Sequence, residues 1–475
     1  MDILKLREKH PTFTYQKAWY EQAENKIQFF AEFSVEPDIT FTSTVEITGV
    51  NQELLASFSN QDLERWAFLL GLVEIPSYWK ATCSPIIDIK AGNTSKMLKK
   101  YLFELLRNGL SEFYFINEIT TFGADDFVTI NGNDAEKEQK EPLAPAFSTH
   151  SPLQKVLIPL GGGKDSLVAL RLLQDSGISK EQLSVLVLEP ATPAASSLAQ
   201  AFGLHTIFAK RSIDPKLIEL NNQGYLNGHT PFSAYLSVLS SCVGHLFGHS
   251  HVALANERSA NEGNTFFHGL EINHQWSKSF EYEQLFAEFA ADQLPITTPY
   301  YFSLLRPLYE LQIAKLFGHF YAENASVLTT FRSCNRGQQQ NIWCGECPKC
   351  LFAALILSPF LEPAKLSSIF GQDLLNKETM IATADDLLGK GSNKPLECVG
   401  MYEESMIASY LTLQKFYKNT PDDQLPVVLR HIKQNVLSSE QNLDQHAEQL
   451  LTAWNDENRV PPDLEQHVKE QFHAV

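Results

Sequence analysis

From Lys155 onward, short apolar runs alternate with helical patterns, and few folds satisfy that alternation. Residues 156–160 read as a strand, 166–173 as the opening of a helix that stops near Gly177, and 184–188 as a second strand. Thr192 and Pro193 supply an N-cap and a first-turn proline for a helix that stops at Gly203. Residues 205–209 and 251–255 read as a third and a fourth strand, with a helix over 231–247 between them. Strands separated by helices cannot pair through tight turns. They lie parallel, in a sheet covered on both faces. Further on, 308–320 reads as helix and 326–331 as strand.

The first strand runs into Leu160-Gly161-Gly162-Gly163-Lys164-Asp165-Ser166, which opens the first helix. Glycines let the backbone turn tightly and approach a ligand closely. Free N–H groups at a helix start point at an anion, and the helix dipole favours negative charge there. The loop is not a Walker A motif, which needs a glycine where Ile158 stands. A glycine-rich turn without a ligand is the plainer alternative.

The rest of the chain surrounds this core. Its 475 residues allow two or three domains, and 44% hydrophobic with 20% charged residues excludes a disordered chain. Residues 1–130 show two β-rich runs (27–33 and 39–47), two helical patterns (62–72 and 95–110) and no chemical motif. They are expected to form an α+β domain. The polar stretch 131–152 reads as a linker or exposed loop, with an insertion inside one domain as the alternative. Residues 153–400 hold the α/β core, and 401–475 a polar helical tail broken by Pro421, Pro426 and Pro461–Pro462.

Charge and hydropathy narrow the partners. Lys+Arg is 38 against Asp+Glu 56, a formal net charge of -18. That balance argues against DNA or tRNA, though a local site can invert the global sign for a small anion. The longest near-apolar stretch, 351–361, is too short to span a bilayer. The N-terminus, MDILKLREKHPTF, lacks the apolar centre of a signal peptide. The expectation is a cytoplasmic protein with no nucleic-acid and no membrane partner.

Four of the seven cysteines, Cys334, Cys344, Cys347 and Cys350, follow the spacing C-x9-C-x2-C-x2-C. Four thiolates suit tetrahedral Zn²⁺, and a full thiolate shell leaves no position for a catalytic water. A structural zinc site is therefore expected. An iron–sulfur cluster and unligated buried cysteines are the alternatives. Cys83, Cys242 and Cys398 read as buried small residues rather than acid/base thiols.

The glycine loop resembles the PP-loop of ATP pyrophosphatases, SGGxDS, enzymes that cleave ATP between the α and β phosphates and adenylate a substrate. Gly162, Gly163, Asp165 and Ser166 match, and Gly161 stands in place of the first serine. The resemblance implies an adenine nucleotide alpha hydrolase-like core. It also implies ATP bound by Gly161, Gly162, Gly163, Lys164, Asp165 and Ser166, with Mg²⁺ at Asp165. A lone cysteine followed by CGxCxxC is similar to the zinc site of 7-cyano-7-deazaguanine synthases, which are also PP-loop enzymes.

Further segments are NGHTP (227–231), NERSA (256–260), EINHQWSK (271–278), YFSLLRPL (301–308) and KPLECVG (394–400). With GGGKDS and WCGECPKC, this set resembles the MurL family of UDP-N-acetylmuramoyl-L-alanyl-L-glutamate epimerases over most of residues 155–400, and more weakly over both ends. The resemblance implies ATP-dependent inversion of the terminal L-Glu of UDP-MurNAc-L-Ala-L-Glu during peptidoglycan precursor biosynthesis. AMP and pyrophosphate are released through an acyl-adenylate. A free α-carboxylate opposes a carbanion beside it. Adenylation removes that charge, and only the α-carboxylate activates this carbon directly. A base then takes the proton, and reprotonation on the other face inverts the centre. A functional link to the Mur ligase that adds L-glutamate stays open. So do three other readings: a ligase or synthase adenylating another small carboxylate, a tRNA-modifying PP-loop enzyme, and a nucleotide-sensing module.

Ligands of parallel sheets bind beyond the C-terminal strand ends. Asn256, Glu257, Arg258 and Ser259 follow the fourth strand and are expected to face the site. Glu257 suits a base or an Mg²⁺ ligand, and Arg258 a fork for phosphate or the γ-carboxylate; a local Glu–Arg pair is the alternative. Asn256 and Ser259 are expected substrate contacts. Glu271, His274 and Lys278 are spaced to share one helix face, as a proton-transfer group or a solvated surface. His229 is a second candidate acid or base. Arg306 and Arg332 are candidate anion partners or structural residues.

Overall fold

The computed structural model describes residues 2–50, 52–122, 127–134 and 146–475. Part of the expected linker, 135–145, lies outside the described residues. The strands are β1 (Thr12–Ala23), β2 (Lys26–Val35), β3 (Ile39–Thr48), β4 (Ile86–Thr94), β5 (Thr129–Asp134), β6 (Val156–Pro159), β7 (Leu183–Glu189), β8 (His205–Ser212), β9 (His251–Leu254), β10 (Thr265–Phe267), β11 (Leu270–Ile272) and β12 (Tyr300–Ser303).

Ten of them form one sheet in the order β12-β9-β6-β7-β8-β3-β2-β1-β4-β5. The run from β12 to β8 is parallel throughout. β6, β7 and β9 are short, apolar and almost wholly buried, as strands covered on both faces must be. β2 and β3 instead alternate buried and more exposed residues, which suits an antiparallel pair with one face outward. β8 pairs antiparallel with β3, Ile47 opposite Ala209, so the strands of the first region extend the core sheet.

Successive β6 side chains point to opposite faces and enter different cores. Val156 and Ile158 join a core built with the helices Lys164–Asp175, Glu310–Tyr321 and Pro348–Leu357 and the C-terminal helices. Leu157 joins the other, built with Asn60–Trp79, Phe232–Leu246 and Phe280–Gln293. The tail is helical at Tyr402–Phe416, Val427–Asn435, Leu443–Thr452 and Pro462–Ala474. Among the described residues no helix is long and apolar enough to cross a membrane.

Two local expectations fail. Residues 326–331 are not a strand: the Asn324 side chain accepts from the Val327 N–H and caps a helix, Ala325–Thr330. Residues 271–278 are not one helix: Glu271 ends up in the β10–β11 hairpin, and only Trp276–Lys278 makes a 3-10 turn. The hairpin turn, with His268 and Gly269 both at positive φ, holds this segment extended up to Ile272.

Candidate active site

The glycine loop lies at the C-terminal end of β6. Gly162 has φ +94°, and a Cβ there would lie 3.0 Å from the Ala194 Cβ and the Ala195 nitrogen. Its carbonyl accepts from the Arg332 N–H at 2.9 Å, which ties the loop to the segment leading into the cysteine cluster. Gly163 caps the helix Lys164–Asp175 without a side-chain hydrogen bond, leaving first-turn N–H groups for an anion.

Lys164 is buried and paired to both Asp165 and Glu310. Carboxylate oxygens of Asp165, Glu257 and Glu310 converge within 4.8 Å of one another, an all-oxygen donor set suited to a hard divalent cation. Burial and the nearby Glu310 push the Glu257 carboxyl up to about 7. Burial acts to raise Asp165 as well, but Lys164, Lys349 and Lys278 outweigh it and hold this carboxyl below its usual value. Glu310 belongs to no sequence motif. It opens the helix Glu310–Tyr321, where its N–H donates to the Ser259 hydroxyl at 3.0 Å.

A second group borders the first. His274 Nδ1 lies 2.5 Å from Glu112 Oε2, His229 Nδ1 lies 3.6 Å from the same oxygen, and the two imidazole rings are 4.6 Å apart. Lys278 Nζ donates to Cys398 Sγ at 3.2 Å, and the Cys398 thiol favours the charged form of the His274 ring. Burial disfavours charge on His274, yet Cys398 and Glu112 overcome it and raise the imidazole to about 9. Burial and the neighbouring His274 charge bring His229 down to about 4, so it is neutral at physiological pH. Lys278 also feels Glu257 and Asp165, so one ammonium serves both groups.

His274 and Lys278 therefore meet around Cys398 through a tight turn, not along a helix face. Glu271 is not with them: its carboxylate accepts from the Gly263 N–H at 3.2 Å. Arg306 is not an open anion fork. It is fully buried, with Nε on Glu283 at 3.0 Å and its terminal nitrogens on the carbonyls of Glu257 and Lys278. It holds both functional segments by their backbones. Asn256 is buried against Ser303, Ser259 supports Glu310, and Arg258 turns to Glu457 at 2.9 Å. Arg332 donates to the carbonyls of Asn341 and Phe331. Cys398 is only partly buried, unlike Cys83 and Cys242. The sequence offered no signal for it or for Glu112 beyond membership of the KPLECVG segment and a place in the first region.

The four clustered cysteines converge too. Cys334–Cys347, Cys344–Cys350 and Cys347–Cys350 sulfurs are 3.8, 3.7 and 3.5 Å apart. Four sulfurs at about 2.3 Å from one zinc ion stand roughly 3.8 Å from each other, so the cluster fits a single ion. The N–H groups of Gly337 and Cys344 donate to Cys334 Sγ, the outer-shell support a thiolate ligand uses.

Two family models match the chain. The MurL N-terminal domain matches residues 5–304 and the MurL C-terminal domain residues 330–447. The chain is 33% identical over 411 residues to the UDP-N-acetyl-alpha-D-muramoyl-L-alanyl-L-glutamate epimerase of Xanthomonas oryzae pv. oryzae, covering 85% of each protein. It is 39% identical over 266 residues to the enzyme of the same name from Micromonospora sp., 56% of this chain and 58% of the relative. It is 39% identical over 277 residues to that of Salinispora tropica, with the same two shares. No solved structure matches significantly. The glycine loop, both functional groups' residues up to Lys278 and the cysteine cluster all fall within these matched stretches, and the chain belongs to the MurL family.

Proposed function

We propose that this chain inverts the terminal L-Glu of UDP-MurNAc-L-Ala-L-Glu to D-Glu, using ATP to form an acyl-adenylate and releasing AMP and pyrophosphate. The names of its relatives support the substrate. The carrying observation is Lys278, an ammonium that donates to Cys398, beside His274 and Glu112, and that feels the charge of Glu257 and Asp165 by the glycine loop. Nucleotide chemistry and proton transfer thereby become neighbours. That is what a reaction needs when adenylation must precede removal of an α-proton.

In this reading the glycine loop's N–H groups and the positive end of the helix Lys164–Asp175 grip the phosphates, as a PP-loop does. Asp165, Glu257 and Glu310 would hold Mg²⁺, which offsets phosphate charge when bound. Lys164 and Lys278 stay charged and keep the site positive within an acidic protein. Cys334, Cys344, Cys347 and Cys350 would hold a structural Zn²⁺ that fixes the fold of this segment.

Incubation with ATP, Mg²⁺ and UDP-MurNAc-L-Ala-L-Glu in D₂O tests the reading. AMP, pyrophosphate, D-Glu after hydrolysis and deuterium at the glutamate α-carbon are expected. AMP without inversion would point to a ligase, and inversion without AMP would remove the adenylate.

A further inference from the structure

We propose that Cys398 is the catalytic base of this site: a thiolate, held between Lys278 and His274, that removes the α-proton of the activated glutamate. The inference rests on the ATP-dependent epimerase reading above. Three features of the packing carry it.

First, two cation-forming side chains meet one sulfur. Lys278 Nζ is 3.2 Å from Sγ, and the His274 ring and the sulfur each favour the other's charged form. A neutral thiol is a weak acceptor. Bringing a lysine and an imidazolium together at it would leave buried positive charge poorly matched. A thiolate adds a negative charge at the point where the two meet. Consistently, although burial opposes ionisation, Lys278 and His274 bring the Cys398 thiol down to about 5.

Second, the residue is held in place. Lys349 Nζ donates to the Cys398 carbonyl, and Gln275 Nε2 donates to the Val399 carbonyl at 2.9 Å, so the main chain on both sides is anchored. The residue as a whole is only partly buried. Third, the two cations beside it are unsuited to the same task. His274 is protonated through Glu112 and the thiol, and Lys278 is an ammonium, so both are donors at neutral pH. Glu257 belongs to the carboxylate group beside the loop.

In the step, an S–H bond forms as the Cα–H bond breaks. The electron pair moves into the acyl-adenylate carbonyl, giving an enolate. A water on the opposite face returns a proton to Cα with inverted configuration. The hydroxide left behind takes the thiol proton, which restores thiolate and water.

The test compares Cys398→Ser and Cys398→Ala with the wild-type protein, using ATP, Mg²⁺ and UDP-MurNAc-L-Ala-L-Glu in D₂O. Substrate-dependent ATP–pyrophosphate exchange is expected to stay within about threefold of wild type, while α-deuteration and D-Glu formation fall by about 100-fold or more. Inversion by Cys398→Ala within about tenfold of wild type overturns the assignment. So does parallel loss of exchange and inversion in both variants at unchanged zinc content and circular dichroism, since it makes Cys398 a binding residue. Absence of ATP turnover by the wild-type protein is a different outcome, which defeats the epimerase reading itself. Independently of the variants' folding, iodoacetamide should alkylate wild-type Cys398 at a nearly constant rate between about pH 6.5 and 8. A rate still rising tenfold per pH unit there identifies an ordinary thiol and overturns the proposal.

Discussion

Lys278 Nζ lies 3.2 Å from Cys398 Sγ across 120 residues of sequence. Each partner is fixed by a cation on its own backbone. Arg306 donates to the Lys278 carbonyl and Lys349 to the Cys398 carbonyl. The pair is thus preset by the fold and does not depend on a flexible lysine finding its partner. An ammonium so placed stabilises a thiolate and no other state of the cysteine.

The rate of α-deuteration should be bell-shaped in pH. Cys398 sits at about 5 and His274 at about 9. As pH falls through the lower value the thiolate gains a proton and the base is lost. As pH rises through the upper value the imidazolium loses the proton that steadies the thiolate. The charged and titratable groups facing the pair are Lys278, Lys349, Glu112 and His229, of which His229 is neutral in this window. The two limbs belong to the coupled group as a whole. Lys278→Met should move the acid limb upward. An acid limb near 8.5 in the wild-type protein, the value of a free thiol, would contradict the ion pair.

Gly162 and Gly161 should respond oppositely to a side chain. Gly162→Ala places a Cβ at φ +94° and 3.0 Å from Ala194 and Ala195, a strain of about 1–3 kcal/mol. It should lower the thermal midpoint and weaken ATP binding together. Gly161 has open space where a Cβ would go. Gly161→Ser should leave stability unchanged and, by adding a hydroxyl donor toward the phosphates, tighten ATP binding measured by calorimetry. Weaker binding by this variant would argue against a phosphate at that position.

The alternation from Val156 to Leu254 made the parallel sheet legible, because buried strands and capped helices carry their own local signals. Thr192 caps its helix and Gly203 ends it in a left-handed conformation, as their residue types require. What the sequence concealed is the work of long-range contacts. Glu112 and Glu310 have no local pattern and gain meaning only where β-strand order brings the first region and the late helices to the loop. Cys398 resembled a small buried residue because the two cations that change its chemistry, His274 and Lys278, come from a segment at least 120 residues earlier. Arg306 was misleading in the other direction: a guanidinium near a strand end suggests an anion, yet its partners are Glu283 and two carbonyls.

Arg306→Met should therefore unfold rather than merely weaken substrate binding. It leaves Glu283 buried and unpaired, a loss of about 3–5 kcal/mol. A urea midpoint shifted strongly downward is expected. A variant with wild-type stability and a raised KM for the UDP-linked substrate would show that the guanidinium reaches a ligand after all.

Elemental analysis should find about one zinc per chain. Cys347→Ser or chelation should cost on the order of 4 kcal/mol or more, as loss of a structural metal does. The effect should extend to nucleotide affinity. The Arg332 N–H holds the Gly162 carbonyl, and Ser333 lies 3.6 Å from where a Gly163 Cβ would stand, just before the first metal ligand. Iron with visible absorbance would replace zinc in this account. Unchanged ATP affinity after metal removal would uncouple the cluster from the loop.

Glu112 carries the contribution of the first region to the chemistry. It stands in the short helix Ser111–Ile116 and accepts from His274 Nδ1 at 2.5 Å. Glu112→Gln removes the charge and keeps the shape. A hydrogen bond to a charged group is worth about 1.5–3 kcal/mol, or roughly one to two units of pKa, so His274 should fall from about 9 toward 7 or 8. The alkaline limb of α-deuteration should move down by that amount while ATP–pyrophosphate exchange holds. Stability should follow the same logic. His274 is raised above its unfolded value of about 6.5, so its contribution is fully present below that pH and disappears as pH rises through about 9. The variant should accordingly be less stable than wild type at pH 6 and nearly equal to it at pH 10, by urea midpoint. An alkaline limb that stays in place would mean that Glu112 does not act through His274, and the first region would then have only a structural claim on the site.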